Sequence, residues 1–477
     1  MEPLDDDTRY RGLLARDPRF DGRFVVGVTT TGVYCRPICP ARTPGRARCE
    51  FFDQPAQAER AGFRACLRCR PELAPGAAPV DAIPRLVAAA TARIAAGALN
   101  DGSVEDLADE LGVTARHLRR AVVDALGVSP IELAQTHRLA FAKRLLHDSS
   151  LPLTTIAFAS GFASVRRFNG LFRARFKRPP GAIRRQVATV DDGLVLRLDY
   201  RPPLAWRAML EFLAVRATPG VEVVDVDAGR YARTVAIGAH TGWVEVTAHP
   251  ERPALVARLA ASLVPVAMPL VARLRALFDL DAEPTIIDEA LARDPRLRGS
   301  LRATPGLRVP QAFDAFECCA RIVLGQQVSV KGATTLTGRL VAAHGAAIAT
   351  PIAGLTHRFP TAAELAKVAP ATIAGIGLPA ARARTLSGLA LAMTSARLER
   401  GATLEQLTAL LGTVPGIGPW TLDLCAMRVL GWPDAFPGSD LVVRRALGAA
   451  DATRAEALVA PLRPWRAYAA MHLWRIA

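Results

Sequence analysis

The spacing of apolar residues changes three times along the chain. Before residue 73 the pattern is loop-rich, with a short apolar run at residues 24–35 that predicts a strand. Residues 84–187 place apolar side chains three and four positions apart, which predicts amphipathic helices. Residues 194–245 alternate β-branched and polar side chains and predict antiparallel strands. From about residue 252 to the end the helical spacing returns.

Stretches rich in proline and glycine interrupt this pattern at residues 73–84, 177–193 and 302–310. With 477 residues the chain is also too long for a single core. We therefore predict a multidomain α+β protein with a small α/β domain, an all-α domain, a domain of antiparallel strands with helices, and a second all-α domain. The expected bounds of these domains are residues 1–76, 84–187, 193–305 and 306–477.

The charge of the chain indicates a polyanionic partner. Lysine and arginine number 60 against 44 acidic residues, which gives a formal net charge of +16. Residues 149–187 hold eight basic residues and no acidic one, which favours contact with a phosphate backbone, although many charge runs only face solvent. No stretch of 18 residues is both apolar and uncharged, and the start of the chain lacks an apolar signal segment. We therefore expect a cytoplasmic protein without membrane spans.

The cysteines concentrate near the start of the chain. Cys35 and Cys39 form a C-x3-C pair, and Cys66 and Cys69 form a C-x2-C pair. Two close thiol pairs joined by a loop are the ligand set of tetrahedral Zn²⁺, so we predict one zinc ion bound by these four residues. Spacing alone favours a purely structural zinc site. Cys49 lies outside both pairs, and we do not expect it to be a ligand.

Residues 8–72 resemble the N-terminal domain of the Ada response proteins, over the segments FDGRFVVGVTTTGVYCRPICPARTP and AERAGFRACLRCRPE. The resemblance implies that Cys35 is both a zinc ligand and a nucleophile, which irreversibly accepts a methyl group from a methylphosphotriester of DNA. Loss of one thiolate charge would change the centre from a formal −2 to about −1 and strengthen DNA binding. The resemblance also places Thr31, Arg42 and Arg64 at the DNA backbone.

Two successive helix-turn-helix patterns follow. The first has Ser103 as a helix cap, Gly112 in the turn and Thr114 as the next cap. The second has Gly161 in its turn and a recognition helix at residues 165–176. Such patterns also occur in three-helix bundles that do not bind DNA.

The end of the second unit, FNGLFRARFKRPPG, resembles the AraC/XylS DNA-binding domain. The resemblance implies double-stranded promoter DNA as a partner, with RNA polymerase as a further candidate. Phe168, Phe172 and Phe176, spaced four apart, are expected in the core. The exposed candidates for DNA contact are Arg116, His117, Arg119, Arg120, Ser164, Arg166 and Arg167.

The run LLGTVPGIGPWTLDLCAMRVLG predicts two helices joined by a glycine hairpin. Gly416 and Gly418 would let backbone N–H groups approach a phosphate closely, with a bound monovalent cation as a candidate aid. By itself this helix-hairpin-helix predicts only DNA binding without sequence preference. A similar turn at residues 375–379 is expected to serve packing.

A Pro/Gly loop then presents Asp440 ahead of another helix. Residues 194–477 resemble the HhH-GPD superfamily and, within it, the AlkA-type 3-methyladenine glycosylases II. The resemblance implies that Asp440 is catalytic, that Trp420 stacks on a flipped base, and that Gln326 or Gln327 fills the gap left in the duplex. Leu424 and Leu441 stand at pocket positions that can be aromatic in this family, which leaves the range of substrates open.

The remaining cysteines, Cys318, Cys319 and Cys425, lack the spacing of an iron–sulfur site and are expected in the core. The chain also lacks the Pro-Cys-His-Arg motif of O6-methylguanine transferases, so we expect no such activity. The sequence thus predicts a DNA-alkylation repair protein and regulator. The alternative is an AraC-type regulator whose glycosylase-like half is a non-catalytic DNA clamp.

Overall fold

The computed structural model describes residues 4–75, 85–184, 193–395, 398 and 402–477. The predicted bounds at 76, 84 and 187 lie outside these residues, and the division into four domains stays a prediction. None of the described helices combines the length and apolar content needed to cross a membrane. Two compact units are present. The first comprises Met1–Pro202, Glu251–Ala272 and Leu280–Ala282, and the second comprises Pro203–Pro250, Arg273–Asp279 and Glu283–Ala477.

The first unit begins with a small four-stranded sheet of order β3-β1-β2-β4, in which β4 is parallel to β2 and the other pairs are antiparallel. The apolar run at residues 24–35 is a hairpin and not the single strand predicted, because the chain reverses through Gly32 at a φ of 61°. The elements are α1 (Asp6–Ala15), β1 (Val25–Val28), β2 (Val33–Cys35), β3 (Cys49–Phe52), α2 (Pro55–Arg60) and β4 (Arg64–Ala65).

A helical region follows, as predicted. Ser103 caps α5 through a capping box with Asp106, and the Thr114 hydroxyl accepts a hydrogen bond from the backbone N–H of His117 at the start of α6. The helices are α3 (Arg85–Ala95), α4 (Ala98–Asp101), α5 (Val104–Glu110), α6 (Ala115–Leu126), α7 (Pro130–Asp148), α8 (Leu153–Ala159) and α9 (Val165–Phe176).

Helix α9 packs through its aromatic face. Phe168, Phe172 and Phe176 are buried, and their ring centroids lie 5.4 and 4.4 Å apart in sequence order. The prediction that they belong to the core is confirmed.

Five further strands are β5 (Gly193–Asp199), β6 (Glu222–Asp225), β7 (Arg230–Ile237), β8 (His240–Ala248) and β9 (Ala254–Ala260). In the first unit every residue of β9 pairs with one of β5, whereas β6, β7 and β8 form an antiparallel meander in the second. The prediction of helix from residue 252 onward is wrong at β9. The alanines and leucines of β9 favour helix locally, but pairing with β5 overrides that preference.

The second unit is otherwise mainly helical. As predicted, Cys318, Cys319 and Cys425 are buried, and the Sγ atoms of Cys319 and Cys425 lie 3.6 Å apart. The remaining elements are α10 (Trp206–Ala214), α11 (Ala267–Leu277), α12 (Pro284–Leu291), α13 (Arg298–Ala303), α14 (Ala315–Leu324), α15 (Val330–His344), β10 (Ala346–Ala347), β11 (His357–Arg358), α16 (Ala362–Leu365), α17 (Pro370–Ala374), α18 (Ala380–Ser395), α19 (Leu404–Leu411), α20 (Pro419–Arg428), α21 (Leu441–Leu447), α22 (Ala452–Val459) and α23 (Arg466–Ile476).

We expect Phe172→Ala to lower the free energy of unfolding of the helix-turn-helix region by about 3–5 kcal/mol, because it leaves a cavity in the aromatic core. Gly170→Ala on the same helix should raise that free energy by about 0.5–1 kcal/mol, since a methyl group there meets no other atom within 4 Å. Hydrogen exchange of the α9 amides in the full chain measures both changes. Equal protection in the two variants would contradict this account of the core.

Candidate functional site

The four predicted cysteine ligands lie together. Their Sγ atoms are all within 4.8 Å of one another. A tetrahedral zinc–thiolate site has sulfur–sulfur distances of about 3.8 Å, so small movements would close these four thiols around one ion. The donor set therefore fits zinc. Cys49 lies outside the cluster on β3, where its thiol is 3.5 Å from the carbonyl oxygen of Gly45.

The four cysteines differ in accessibility and in hydrogen bonding. Cys39, Cys66 and Cys69 are buried, whereas Cys35 is half-buried at the end of β2. Backbone N–H groups donate to two of the buried sulfurs, from Arg36 to Cys69 Sγ at 3.4 Å and from Arg68 to Cys66 Sγ at 3.3 Å. Of the four cysteines, Cys35 has the most exposed residue surface.

A buried arginine braces the cluster. The Arg36 guanidinium pairs with Asp21, donates to Asp199 Oδ2 at 3.0 Å and to the carbonyl oxygen of Cys69 at 3.3 Å. Burial alone would lower the pKa of Arg36, but the hydrogen bonds and charges of the two aspartates raise it above its ordinary value. Arg36 therefore stays charged next to Cys35.

A buried carboxylate connects the strand of Cys35 to the helix-turn-helix region. Glu59 on α2 accepts hydrogen bonds from the Tyr34 hydroxyl at 3.1 Å and the Thr136 hydroxyl at 2.6 Å, and it pairs with Arg175 of α9. Burial raises the pKa of Glu59, and the charge of Arg175 opposes that rise.

The predicted DNA-backbone residues are spread around the cluster. Thr31 is exposed in the β1–β2 turn, and Arg42 is exposed in the loop after Cys39. Arg64 is half-buried on β4, next to Val33 of the cysteine-bearing strand.

The arginines predicted to contact DNA are exposed on α6 and α9. On α6, Arg119 pairs with Glu105 at 2.5 Å. On α9, the Ser164 hydroxyl caps the helix by accepting from the backbone N–H of Arg167 at 3.2 Å. The exposed arginines are Arg116, Arg119, Arg120, Arg166 and Arg167.

The glycine hairpin between α19 and α20 has the predicted form. Gly416 has a φ of 89°, and a Cβ there would lie 2.2 Å from the Thr385 hydroxyl, which itself donates to the carbonyl oxygen of Pro415 at 2.8 Å. Gly418 precedes α20 without a side-chain cap, and a Cβ there meets no atom within 4 Å. The hairpin thus requires glycine at 416 for its own packing, whereas space lies open at 418.

The two predicted wedge glutamines have different surroundings. Gln326 donates from Nε2 to the carbonyl oxygen of Gly416 at 2.9 Å and to the Thr421 hydroxyl at 3.0 Å, so it braces the hairpin. Gln327 is exposed in the turn before α15, with a φ of 54°.

Asp440 is held by four N–H donors. Its Oδ1 accepts from the backbone of Val442 at 3.0 Å and Val443 at 3.1 Å, and from Trp474 Nε1 at 3.2 Å. Its Oδ2 accepts from Trp420 Nε1 at 3.3 Å. The two residues predicted for this site, Asp440 and Trp420, therefore contact each other directly.

An aromatic pair lies beside Asp440. The ring of Phe212, from α10, stacks on Trp474 with centroids 6.2 Å apart, and the Arg216 guanidinium lies 3.8 Å from the Phe212 centroid. Leu424 is half-buried and Leu441 is 51% exposed. Burial and the neighbouring charge of Arg428 lower the pKa of Arg216 to about 10.

Family models match four segments of the chain. These are the metal-binding domain of Ada at residues 8–72, a helix-turn-helix domain at 107–186, the AlkA N-terminal domain at 195–314, and the HhH-GPD superfamily of base excision DNA repair proteins at 320–458.

Full-length similarity decides the family. The chain is 41% identical to the probable bifunctional transcriptional activator/DNA repair enzyme AlkA of Mycobacterium tuberculosis, over 98% of this chain and 95% of that protein. The chain belongs to this family of AlkA-type activator and repair enzymes. It is therefore a DNA repair glycosylase joined to a metal-binding domain and a transcriptional regulator, as the motifs predict.

Two further similarities match parts of the chain. DNA-3-methyladenine glycosylase 2 of Escherichia coli is 36% identical over 58% of this chain and 95% of its own length. The structure of a 3-methyladenine DNA glycosylase from Archaeoglobus fulgidus has the same fold as part of this AlkA-type chain, with a TM-score of 0.52, 20% identity, and coverage of 58% of this chain and 97% of that one. The sequence similarity to the Mycobacterium tuberculosis and Escherichia coli proteins favours the repair-enzyme interpretation over the alternative of a non-catalytic clamp.

Sequence reasoning missed Trp474, which donates to Asp440, and Phe212, which stacks on Trp474. Trp474 lies 34 residues after Asp440, near the end of the chain, and Phe212 lies in the strand-rich part. Neither occurs in a local motif. A tryptophan in a terminal helix was the only signal available for Trp474.

We expect the two hairpin glycines to respond differently to substitution. Gly416→Ala should lower both the melting temperature and the affinity for undamaged duplex DNA, since the new methyl group collides with Thr385. Gly418→Ala should leave the melting temperature unchanged and weaken DNA binding about tenfold, because its methyl group occupies the space that a phosphate would enter. Fluorescence anisotropy at fixed salt concentration measures the affinity. Unchanged binding by Gly418→Ala would rule out this hairpin as a phosphate contact.

Proposed function

We propose that this protein excises N3- and N7-alkylated purines from DNA with Asp440 as its catalytic residue. The observation that supports this most directly is the hydrogen bonding of Asp440. Its Oδ1 accepts three hydrogen bonds and its Oδ2 accepts one, so Oδ2 keeps a lone pair for a reacting group. The two indole N–H groups fix the carboxylate without neutralising its charge.

The reaction requires little from the protein once the base is flipped out of the duplex. An alkylated purine carries a positive charge, so it leaves as a neutral base with the electron pair of the C1′–N bond. The sugar then has oxocarbenium character, which the negative charge of Asp440 stabilises. Asp440 also orients the attacking water and accepts its proton as the new C–O bond forms.

The other pocket residues have supporting roles in this proposal. The face of Trp420 stacks on the cationic base, and Leu424 and Leu441 line the pocket and set the range of bases accepted. Gln327, which is exposed, fills the gap that the flipped base leaves in the duplex. The neighbouring Gln326 holds the hairpin in place. The N–H groups at Gly416 and Gly418 bind a phosphate, with a monovalent cation as an additional ligand.

A second activity is proposed at the cysteine cluster, where Cys35 accepts a methyl group from a DNA methylphosphotriester. The Cys35 sulfur bonds to the methyl carbon, the carbon–oxygen bond breaks, and the phosphodiester leaves as an anion. Bound zinc would keep the thiols ionised at neutral pH. The match of residues 8–72 to the metal-binding domain of Ada supports the assignment of Cys35 as the acceptor, and Thr31, Arg42 and Arg64 would contact the DNA backbone.

Methylation would also regulate transcription. A thioether in place of one thiolate makes the metal centre less negative by about one charge, which favours binding to DNA phosphates. The exposed arginines of α6 and α9 would then bind a promoter, and RNA polymerase is the proposed downstream partner. Since these substrates are chromosomal, the cytoplasm is the proposed compartment.

We expect Asp440→Asn to reduce base excision by at least about 100-fold, because the variant lacks the charge that stabilises the sugar cation. The melting temperature should fall only slightly, since asparagine still caps the helix although its amide nitrogen cannot accept the hydrogen bond from Trp420 Nε1. Abasic sites formed in N7-methylguanine duplex DNA measure the rate. Asp451→Asn, at the exposed cap of α22, is the matched control and should retain full activity. Equal activity of Asp440→Asn and the wild type would instead support the non-catalytic clamp.

We expect the zinc-loaded protein to take up one methyl group from methylphosphotriester DNA, on the peptide that contains Cys35. Cys35→Ala should take up none, whereas Cys49→Ala should behave as the wild type because Cys49 lies outside the cluster. Mass spectrometry of the digested protein locates the group. An unmodified Cys35 in the wild type would show that the cluster is only structural.

A further inference from the structure

A lysine from the helix-turn-helix region lies against the metal centre. Lys143, on α7, has no exposed surface. Its Nζ donates to the carbonyl oxygen of Cys66 at 2.9 Å and to Glu72 Oε2 at 2.7 Å. A fully buried ammonium group is costly in free energy unless it is paired and hydrogen-bonded. Lys143 has both kinds of partner, and one of them belongs to the cysteine cluster.

The same loop is fixed to α7 at a second point. Arg70, which follows Cys69, pairs with Glu72 at 3.0 Å and with Asp148 at the end of α7 at 2.6 Å. Burial alone would raise the pKa of Glu72, but the charges of Lys143 and Arg70 outweigh it and hold that pKa below its usual value. These side chains thus form one network of ion pairs and hydrogen bonds between the loop and α7.

A hydrogen bond to the Cys66 carbonyl oxygen affects the position of the Cys66 sulfur. Cys66 is a ligand, and its sulfur already accepts the backbone N–H of Arg68 at 3.3 Å. A donor on the carbonyl of the same residue fixes the peptide that carries this sulfur. The donor is also a positive charge next to a centre that would carry a formal charge of −2 when four thiolates bind zinc.

We propose that Lys143 is a positioning residue of the metal centre, which orients Cys66 and offsets the negative charge of the thiolates. As far as it concerns methyl transfer, this inference rests on the proposed function of Cys35. It makes α7 of the DNA-binding region a structural part of the metal site. Metal affinity and methyl transfer then both depend on the helix-turn-helix region.

The test uses the full chain. Lys143→Met alone would leave the buried Glu72 paired with Arg70 alone. The variant of choice is therefore the double change Lys143→Met with Glu72→Gln. Glu72→Gln alone retains Lys143 and its hydrogen bond to Cys66. Lys367→Met, at an exposed position in the second unit, is the control for the substitution itself.

Titration with Co²⁺ alone, followed by its thiolate absorption and by competition with a chelator, gives the metal affinity. The double variant should bind Co²⁺ about 10- to 100-fold more weakly than Glu72→Gln, the usual effect of losing a group that supports a metal ligand. It should also take up methyl groups more slowly. Lys367→Met should match the wild type in both measurements.

Affinities within about twofold of each other for the double variant and Glu72→Gln would overturn the proposal. A wild-type protein that binds Co²⁺ but takes up no methyl group would remove the proposed methyl transfer alone. The cobalt titration would still decide whether Lys143 positions the metal centre.

Discussion

Charged side chains that leave water must find partners of opposite sign, and the first unit is organised around that requirement. Arg36 pairs with Asp21 and Asp199 beside the cysteine cluster, and Lys143 pairs with Glu72. Each pair joins segments that are distant in sequence. Removal of one member would leave a buried charge with fewer partners, so these pairs fix the loops that carry the cysteines.

The charge of Asp440, in the second unit, is held in a different way. Within the described part of the chain, Asp440 has no cation at ion-pair distance and is held by neutral N–H donors. An arginine partner would neutralise the carboxylate and reduce its effect on a sugar cation. Hydrogen bonds from indole and backbone groups fix its position while they leave its charge available. The ion pairs near the cysteines thus serve rigidity, whereas the hydrogen bonds of Asp440 hold a charge that stays directed at a reactant.

The sequence predicts those features whose signal is local. The caps at Ser103 and Thr114, the recognition helix at 165–176, the cysteine pairs and the glycine hairpin are all visible within short segments. The contacts of Trp474 and Lys143 are not, since each depends on residues 34 to 77 positions away. Strand β9 was missed for the same reason. Its residues favour helix, and only pairing with β5, about 60 positions earlier, makes it extended.

The ion pair between Arg36 and Asp199 limits how such proteins can be recombined. Asp199 belongs to β5, which begins the segment that resembles a glycosylase. Its carboxylate nevertheless pairs with Arg36, in the loop that carries Cys35. A graft of the first 190 or so residues onto another partner would leave Arg36 with Asp21 alone. The metal-binding part has thus become dependent on its neighbour in the chain. Exchange of modules between related proteins would have to carry β5, and with it β9, along with the cysteines.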